Sequence, residues 1–230
     1  MTVFEIRLKV FLLKDIRHQD ALSVIATFID SVLVQHQAYL QWHEINTFKM
    51  YTFNSFFPVE KEGVYKKDQV YGIIIRTIKR DLAEYLDWVL RGYADAYMKG
   101  LTSEMRIIAQ KHLEQVYSIT PVMIKHEEGY WNPHLSFEQY EERIKNNLLK
   151  KYREVTQAEI GSEVKLWKLF ERSSKMPIAI PYKGIKMLGD KLSIFVEDTP
   201  LAQDVMYMAL GAGIGEMNPR GFGFVNFRYL

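Results

Sequence analysis

The chain has 230 residues, 48% hydrophobic and 25% charged, with 30 Lys and Arg against 28 Asp and Glu and no cysteine. That balance fits a globular chain of one large domain or two small ones, and it excludes a polycation, disulfides, thiolate nucleophiles, iron–sulfur clusters and cysteine-based zinc sites. No apolar run approaches a bilayer span and the N-terminus lacks the features of a secretory signal, so the protein is expected in the cytoplasm, away from membranes.

Residues 2–13, TVFEIRLKVFLL, alternate apolar and polar before becoming mostly apolar, which predicts a strand. Asp20 is the expected N-cap of a helix, because Ala21, Leu22, Ile25, Phe28, Ile29, Val32 and Leu33 follow at helical spacing. FKMYTFNSFFP reads as extended and closes at Pro58; QVYGIIIRT is a β-branched strand. Ile78, Leu82, Tyr85, Leu86 and Val89 trace a second helix ending near Gly92, and EMRIIAQKHLE reads as a strand.

The same order then recurs. VYSITPVMIKHE predicts a strand, and Ser136 with Gln139 forms a capping box ahead of Phe137, Tyr140, Ile144, Leu148 and Tyr152. VKLWKLFE, MPIAIPYKGIKML and DKLSIFVE supply strands with a hairpin. Thr199 caps a helix begun by Pro200 and stopped by Gly211, and GFVNFRY is the final strand. Two β-α-β-β-α-β units predict an α+β protein of two tandem ferredoxin-like domains, residues 1–115 and 116–230, with a glycine-rich loop near the end of the second.

Residues 220–227, RGFGFVNF, fit the RNA-recognition pattern K/R-G-F/Y-G/A-F-V-x-F/Y. In an RNA-recognition domain that pattern occupies an inner strand, with a helix and another strand to follow. Here it falls on the last strand of its unit, and no partner aromatic strand opens the unit. The match is read as a glycine loop running into an aromatic strand. Phe222, Phe224 and Phe227 are then core residues, with base stacking as the alternative.

The loop itself, GIGEMNPRGFG at residues 213–223, has the form G-h-G, five residues, G-h-G. Gly213, Gly215, Gly221 and Gly223 permit positive φ and close backbone approach, so their N–H groups are expected to face an anion, with Asn218 and Arg220 as phosphate contacts. A dinucleotide loop would open a helix and a P-loop would carry Gly-Lys-Ser/Thr, so both are excluded. RIKNNLLKKYR at residues 143–153 holds five basic residues and no acid, and residues 165–191 hold seven against Glu171 and Asp190. A solvated face is the plain reading of such runs. Beside the glycine loop, Lys150, Lys151 and Arg153 become candidates for RNA contact.

A glycine loop of this form on the last strand of a double ferredoxin-like chain resembles the CRISPR repeat-RNA endoribonucleases, the Cas six family of the repeat-associated (RAMP) superfamily. The resemblance spans the chain: EIRLKVFL is similar to the family's first strand and YSITPVMI to the start of its second domain. HEINTFKMYTFNSF, a histidine with a lysine six residues on and an aromatic Thr-Phe segment, favours the nuclease branch.

The resemblance implies a metal-independent endoribonuclease that matures guide RNA from CRISPR repeat RNA without a cofactor. The 2′-hydroxyl attacks the adjacent phosphate and leaves a 2′,3′-cyclic phosphate and a 5′-hydroxyl. His43 would act as general base or acid and Lys49 would offset the charge on the phosphate. Some members complete the site with a tyrosine on the first helix. The equivalent position falls near Phe28, which leaves Tyr39 and His36 as replacements. His36 and His43 share a face if the helix continues. The six histidines are scattered, and no metal site is expected. Other CRISPR effector subunits and a second copy of the chain are the further partners the resemblance allows. The alternative readings are a packed helix-end histidine for His43, a strand lysine for Lys49, and structural or surface roles for His36 and Tyr39. At the level of function they are a non-catalytic RNA-binding subunit, or a ferredoxin-like protein that binds a small phosphorylated ligand at the loop.

Overall fold

The fold is given by a computed structural model that describes residues 1–161, 163–182 and 184–230, with the side chains of His43 and Glu44 outside the description. The first unit runs β1 (Val3–Leu12), β2 (Ile16–Arg17), α1 (Ala21–Leu33), α2 (Gln37–Glu44), β3 (Tyr51–Phe53), β4 (Val64–Tyr65), β5 (Val70–Thr77), α3 (Arg80–Val89) and β6 (Met98–Ile108). The second runs β7 (Leu113–Ser118), α4 (Trp131–His134), α5 (Phe137–Thr156), β8 (Trp167–Arg172), β9 (Ile178–Tyr182), β10 (Ile185–Gly189), β11 (Leu192–Val196), α6 (Pro200–Ala212) and β12 (Val225–Tyr229).

Alternation along β1 buries Phe4, Ile6, Leu8, Val10 and Leu12 against the helices of its unit. β1 lies between β5 and β6, and the sheet order is β3-β5-β1-β6. The second sheet has the order β12-β7-β11-β8. With the two-stranded pairs β2–β4 and β9–β10 set aside, each four-stranded sheet has its first strand in the centre beside the third, flanked by the fourth and the second. Both units are therefore ferredoxin-like. The hairpin β9–β10 projects from the second unit, and β9 reaches α1 of the first. Among the described residues no helix is long and apolar enough to cross a membrane.

α6 joins the two cores. Its residues Val205 to Ala212 are buried all round, the pattern of a helix with no solvent face. It packs on β1, β3 and β5 of one sheet and on β7, β11 and β12 of the other. Gly211 lies inside this helix rather than stopping it. A Cβ there would stand 2.8 Å from Ile78 Cγ2, so the glycine serves close packing, and the helix ends at Gly213.

Other expectations shift with their physical causes. Asp20 does not cap α1: it sits in a 3-10 turn with helical backbone, and its carboxylate accepts from Arg17 Nε at 2.8 Å. The Ser136–Gln139 capping box forms in both directions, at 3.2 and 2.8 Å. The first helix does not run on to His43. Its buried stripe ends at Leu33, residues 34–38 are exposed, and His36 is extended (φ −105, ψ 119), so nothing on the core side holds a continuous helix. A new helix, α2, starts after it.

Candidate nucleic-acid interface

The glycine loop between α6 and β12 closes on itself. Ile214 N–H donates to Gly223 O at 3.0 Å, Gly221 N–H to Asn218 O at 2.9 Å and Gly223 N–H to Pro121 O at 2.8 Å. Gly213 N–H completes α6 on Ala209 O at 2.9 Å. The amides of Gly213, Gly221 and Gly223 thus point at carbonyls and not at an anion, which corrects the sequence reading. A Cβ at Gly215 would lie 2.5 Å from Met123 O, and one at Gly223 1.9 Å from Ile214 O. The glycines let backbone pass against backbone.

Two polar side chains expected on the RNA face are the centre of this loop instead. Lys151 of α5 is 1% exposed, and its Nζ donates to Gly213 O (2.8 Å), Gly215 O (2.7 Å) and Asn218 Oδ1 (2.7 Å). Three acceptors match the three donors of an ammonium. Burial pushes its pKa down, to about 7; Glu216 acts the other way, as do the three oxygens by favouring the charged form. Asn218 is 5% exposed and spends its amide on Ile214 O and Phe222 O, both at 3.0 Å. Lys151 and Asn218 have no donor left for a phosphate. A step of one residue along α5 is ~100°, which turns Lys150 outward, and it is exposed. Arg153 is half-buried and donates to Ile160 O. Arg220 pairs with Asp30 of α1.

Beside the loop, Asn46 to Met50 and Met217 to Pro219 enclose a cleft of about 390 Å³ that Lys49, Lys125, Glu154 and Glu216 also line. Lys49 Nζ donates to Trp42 O and, at 2.7 Å, to Ile45 O, so it caps the last carbonyls of α2. Its Nζ also stands 4.9 Å from the centre of the Trp42 ring, as does that of Lys79. Burial first, and then the charge of Lys79, hold Lys49 below the usual lysine pKa. Lys49 is thereby brought to the turn of α2 that carries His43, whose side chain lies outside the described residues.

His36, which is exposed, and the partly buried Tyr39 make ring contacts with each other and with Tyr85. The His36 ring lies 5.0 Å from Tyr39 and 5.3 Å from Tyr85. The Tyr39 phenol is pushed up to about 12 by burial, then by Asp81 and Tyr85. Phe28 is 0% exposed in the core and leaves no opening for a hydroxyl. Phe222 and Phe224 are 1% exposed, and Phe227 packs against the second core, which accounts for the aromatic strand without bases. Sequence reading missed Trp42, Lys79 and Lys125. Trp42 and Lys79 lie 37 residues apart by number, and no local pattern joins them.

One group among the described residues could hold a metal ion: His126, Glu128 and His134, with ligand atoms all within 4.8 Å of one another. The scatter of histidines in the sequence hid it, since a turn and a short helix separate the two rings.

A family profile described as "CRISPR associated protein Cas6, C-terminal" matches residues 103–227. No curated protein matches the chain. Among solved structures, the chain is similar to a CRISPR-associated protein Cas6, with TM-score 0.70 and 20% identity over 98% of this chain and 99% of that one. It is also similar to a RAMP protein described as binding different RNA substrates (0.68, 16%, 98% and 99%). A third likeness is to a Thermus thermophilus Cas6 in a product complex (0.63, 15%, 99% and 100%). At these identities the shared property is the fold. Fold and profile together define a CRISPR-associated protein of paired ferredoxin-like units. The chain belongs to the Cas6 family of CRISPR-associated proteins.

Proposed function

We propose that the protein is an endoribonuclease that cuts CRISPR repeat RNA. The reading is carried by Lys49, whose ammonium sits on the α2 turn that bears His43 and lines a cleft beside the glycine loop. Family membership supports the substrate class, and solved relatives include a product complex and a RAMP protein that binds RNA. In the proposed step the 2′-oxygen bonds to phosphorus as its proton passes to a base, and the 5′-oxygen leaves with a proton from an acid. His43 serves as one of these. Lys49, with Lys79 and Lys125, offsets the charge on the phosphate. No metal is invoked in this step: His43 meets one of the two proton transfers, water the other, and the three lysines offset the charge.

Residues 1–115 supply the reacting groups in this reading, and RNA contact extends over residues 116–230 through Lys125 and exposed Lys150 rather than through the loop amides. The phosphorylated-ligand alternative is weakened, because the amides of Gly213, Gly221 and Gly223 are already bonded. A binding-only role is the second reading. It is favoured by the buried Phe28, which offers no hydroxyl on the first helix, and by Tyr39, whose ring packs against Tyr85 at 4.9 Å.

Single-turnover cleavage of repeat RNA in EDTA separates the two. The nuclease reading expects cyclic-phosphate ends and a loss of ~10²–10⁴-fold in His43→Ala, with RNA affinity unchanged. RNA that is bound but never cut establishes the second reading.

A further inference from the structure

The segment between β7 and α5 folds back and gathers three metal-ligand side chains. His126 and Gly129 form an antiparallel bridge, with Gly129 N–H on His126 O at 3.0 Å; Gly129, at φ +105, takes a backbone that other residues resist. The chain is then anchored twice on Asp190, which is 0% exposed: Tyr130 Oη donates at 2.8 Å and Trp131 Nε1 at 2.7 Å. Trp131 itself is buried and stacks on Tyr140 of α5 at 4.3 Å. From this base the short helix α4 returns His134 to His126. Their rings stack at 5.0 Å with 7° between planes, and Glu128 Oε2 meets His134 Nδ1 at 2.5 Å.

We propose that His126, Glu128 and His134 form a binding site for a divalent transition metal of zinc type. Two imidazoles and one carboxylate with an open position suit Zn²⁺, whereas Mg²⁺ and Ca²⁺ favour oxygen ligands throughout. The ligand atoms lie within 4.8 Å of one another, and tetrahedral coordination at about 2.0–2.2 Å sets them roughly 3.4 Å apart, which closes the longer separations and opens the 2.5 Å Glu128–His134 contact. That adjustment falls on side chains able to move, because Glu128 and His134 are exposed and His126 is half-buried. The parallel rings do not aim at one point, so one must turn, and the His134–Glu128 contact is exchanged for contacts to the ion. The backbone, held by the bridge and by Asp190, changes little.

A solvated ion pair between Glu128 and His134 is the plain alternative. It explains that contact but not the second histidine stacked on it. The site is separate from the proposed cleavage step and does not depend on it. Its effect would be on position. Lys125 precedes His126, its N–H donates to Glu216 Oε2 at 2.7 Å, and its carbonyl accepts from Arg143 at 3.3 Å. A bound ion would fix the chain on which Lys125 faces the cleft.

The test uses full-length protein freed of metal with EDTA and dialysed. ZnCl₂ is titrated by calorimetry, and CoCl₂ is followed by its visible absorption. The expected result is one ion per chain at micromolar or tighter Kd, a Tm raised by several degrees at saturating Zn²⁺, and no shift with MgCl₂. His134→Gln and His126→Ala should each weaken binding by at least about 10-fold and abolish the Tm shift. His134→Gln changes an exposed side chain, so it still tests the site if His126→Ala does not fold. The proposal is overturned if wild type takes up no stoichiometric Zn²⁺, or if folded His134→Gln binds it as tightly as wild type.

Discussion

At the scale of single residues, Lys151 and Lys150 show how one position on a helix reverses a role. Lys151→Met would leave Gly213 O, Gly215 O and Asn218 Oδ1 without their donor in a buried setting. An unsatisfied buried polar group typically costs ~1–3 kcal/mol, so the variant should lose at least about 3 kcal/mol in denaturant unfolding. A loss under ~1 kcal/mol would mean that the loop holds itself. Lys150→Glu should leave the melting curve within ~0.5 kcal/mol of wild type and flatten the salt dependence of RNA binding. Gly223 belongs with Lys151. At φ +69 and with a Cβ directed at Ile214 O, Gly223→Ala should destabilise the fold before any question of RNA arises. A Gly223→Ala protein that melts like wild type would show that the loop relaxes easily.

Among the elements, α2 carries the proposed chemistry, and two lysines hold it. Lys49 caps its C-terminal carbonyls, and Lys79, the residue before α3, stands over the same Trp42 ring. Lys49→Ala should slow single-turnover cleavage by ~10-fold or more, since it removes both a cation and a helix cap. Lys79 offers a second probe, read in the pH profile and not in the rate itself. Its charge lowers the pKa of Lys49, so Lys79→Met should let Lys49 keep its proton to higher pH. If the charged form is the active one, the alkaline limb of the cleavage rate moves up in pH. A limb that stays in place would show that Lys49 does not titrate in the reaction. Elements with a full apolar stripe, α1, α5 and the β-branched β5, were legible in the sequence because burial along one face fixes both period and length. α2 was not, because residues 34–38 are exposed and carry no pattern that marks the break. The glycine signature was legible as a motif, but its role was not. A glycine permits close approach equally to a ligand or to the chain itself, and only the partners of the amides distinguish the two.

For the whole molecule, the question is what locks two small sheets into one body, and Arg76 of β5 is the polar part of the answer. It is 3% exposed, and its Nε donates to Glu5 Oε2 at 2.8 Å, while its other nitrogens reach Val225 O at 2.5 Å and Asn226 Oδ1 at 3.0 Å on β12. Its guanidinium also lies 4.5 Å from the Phe224 ring centre. One side chain thus ties the two sheets together beside α6. Arg76→Met should cost about 3–5 kcal/mol, because Glu5 is then left buried with only Arg7 and Arg106 as cationic partners. Adding Glu5→Gln should restore part of that loss. Burial alone would raise the Glu5 carboxyl, but Arg76, Arg7 and Arg106 outweigh it and hold the group below the usual range. A depressed carboxyl stabilises the fold fully above the unfolded pKa of about 4.3 and loses that contribution as pH falls through the folded value. The stability gap between wild type and Glu5→Gln should therefore be widest at pH 7 and shrink towards pH 3 in urea unfolding. A gap of the same size at both pH values would mean that the carboxyl's shape and hydrogen bonds, and not its charge, hold the two sheets at this joint.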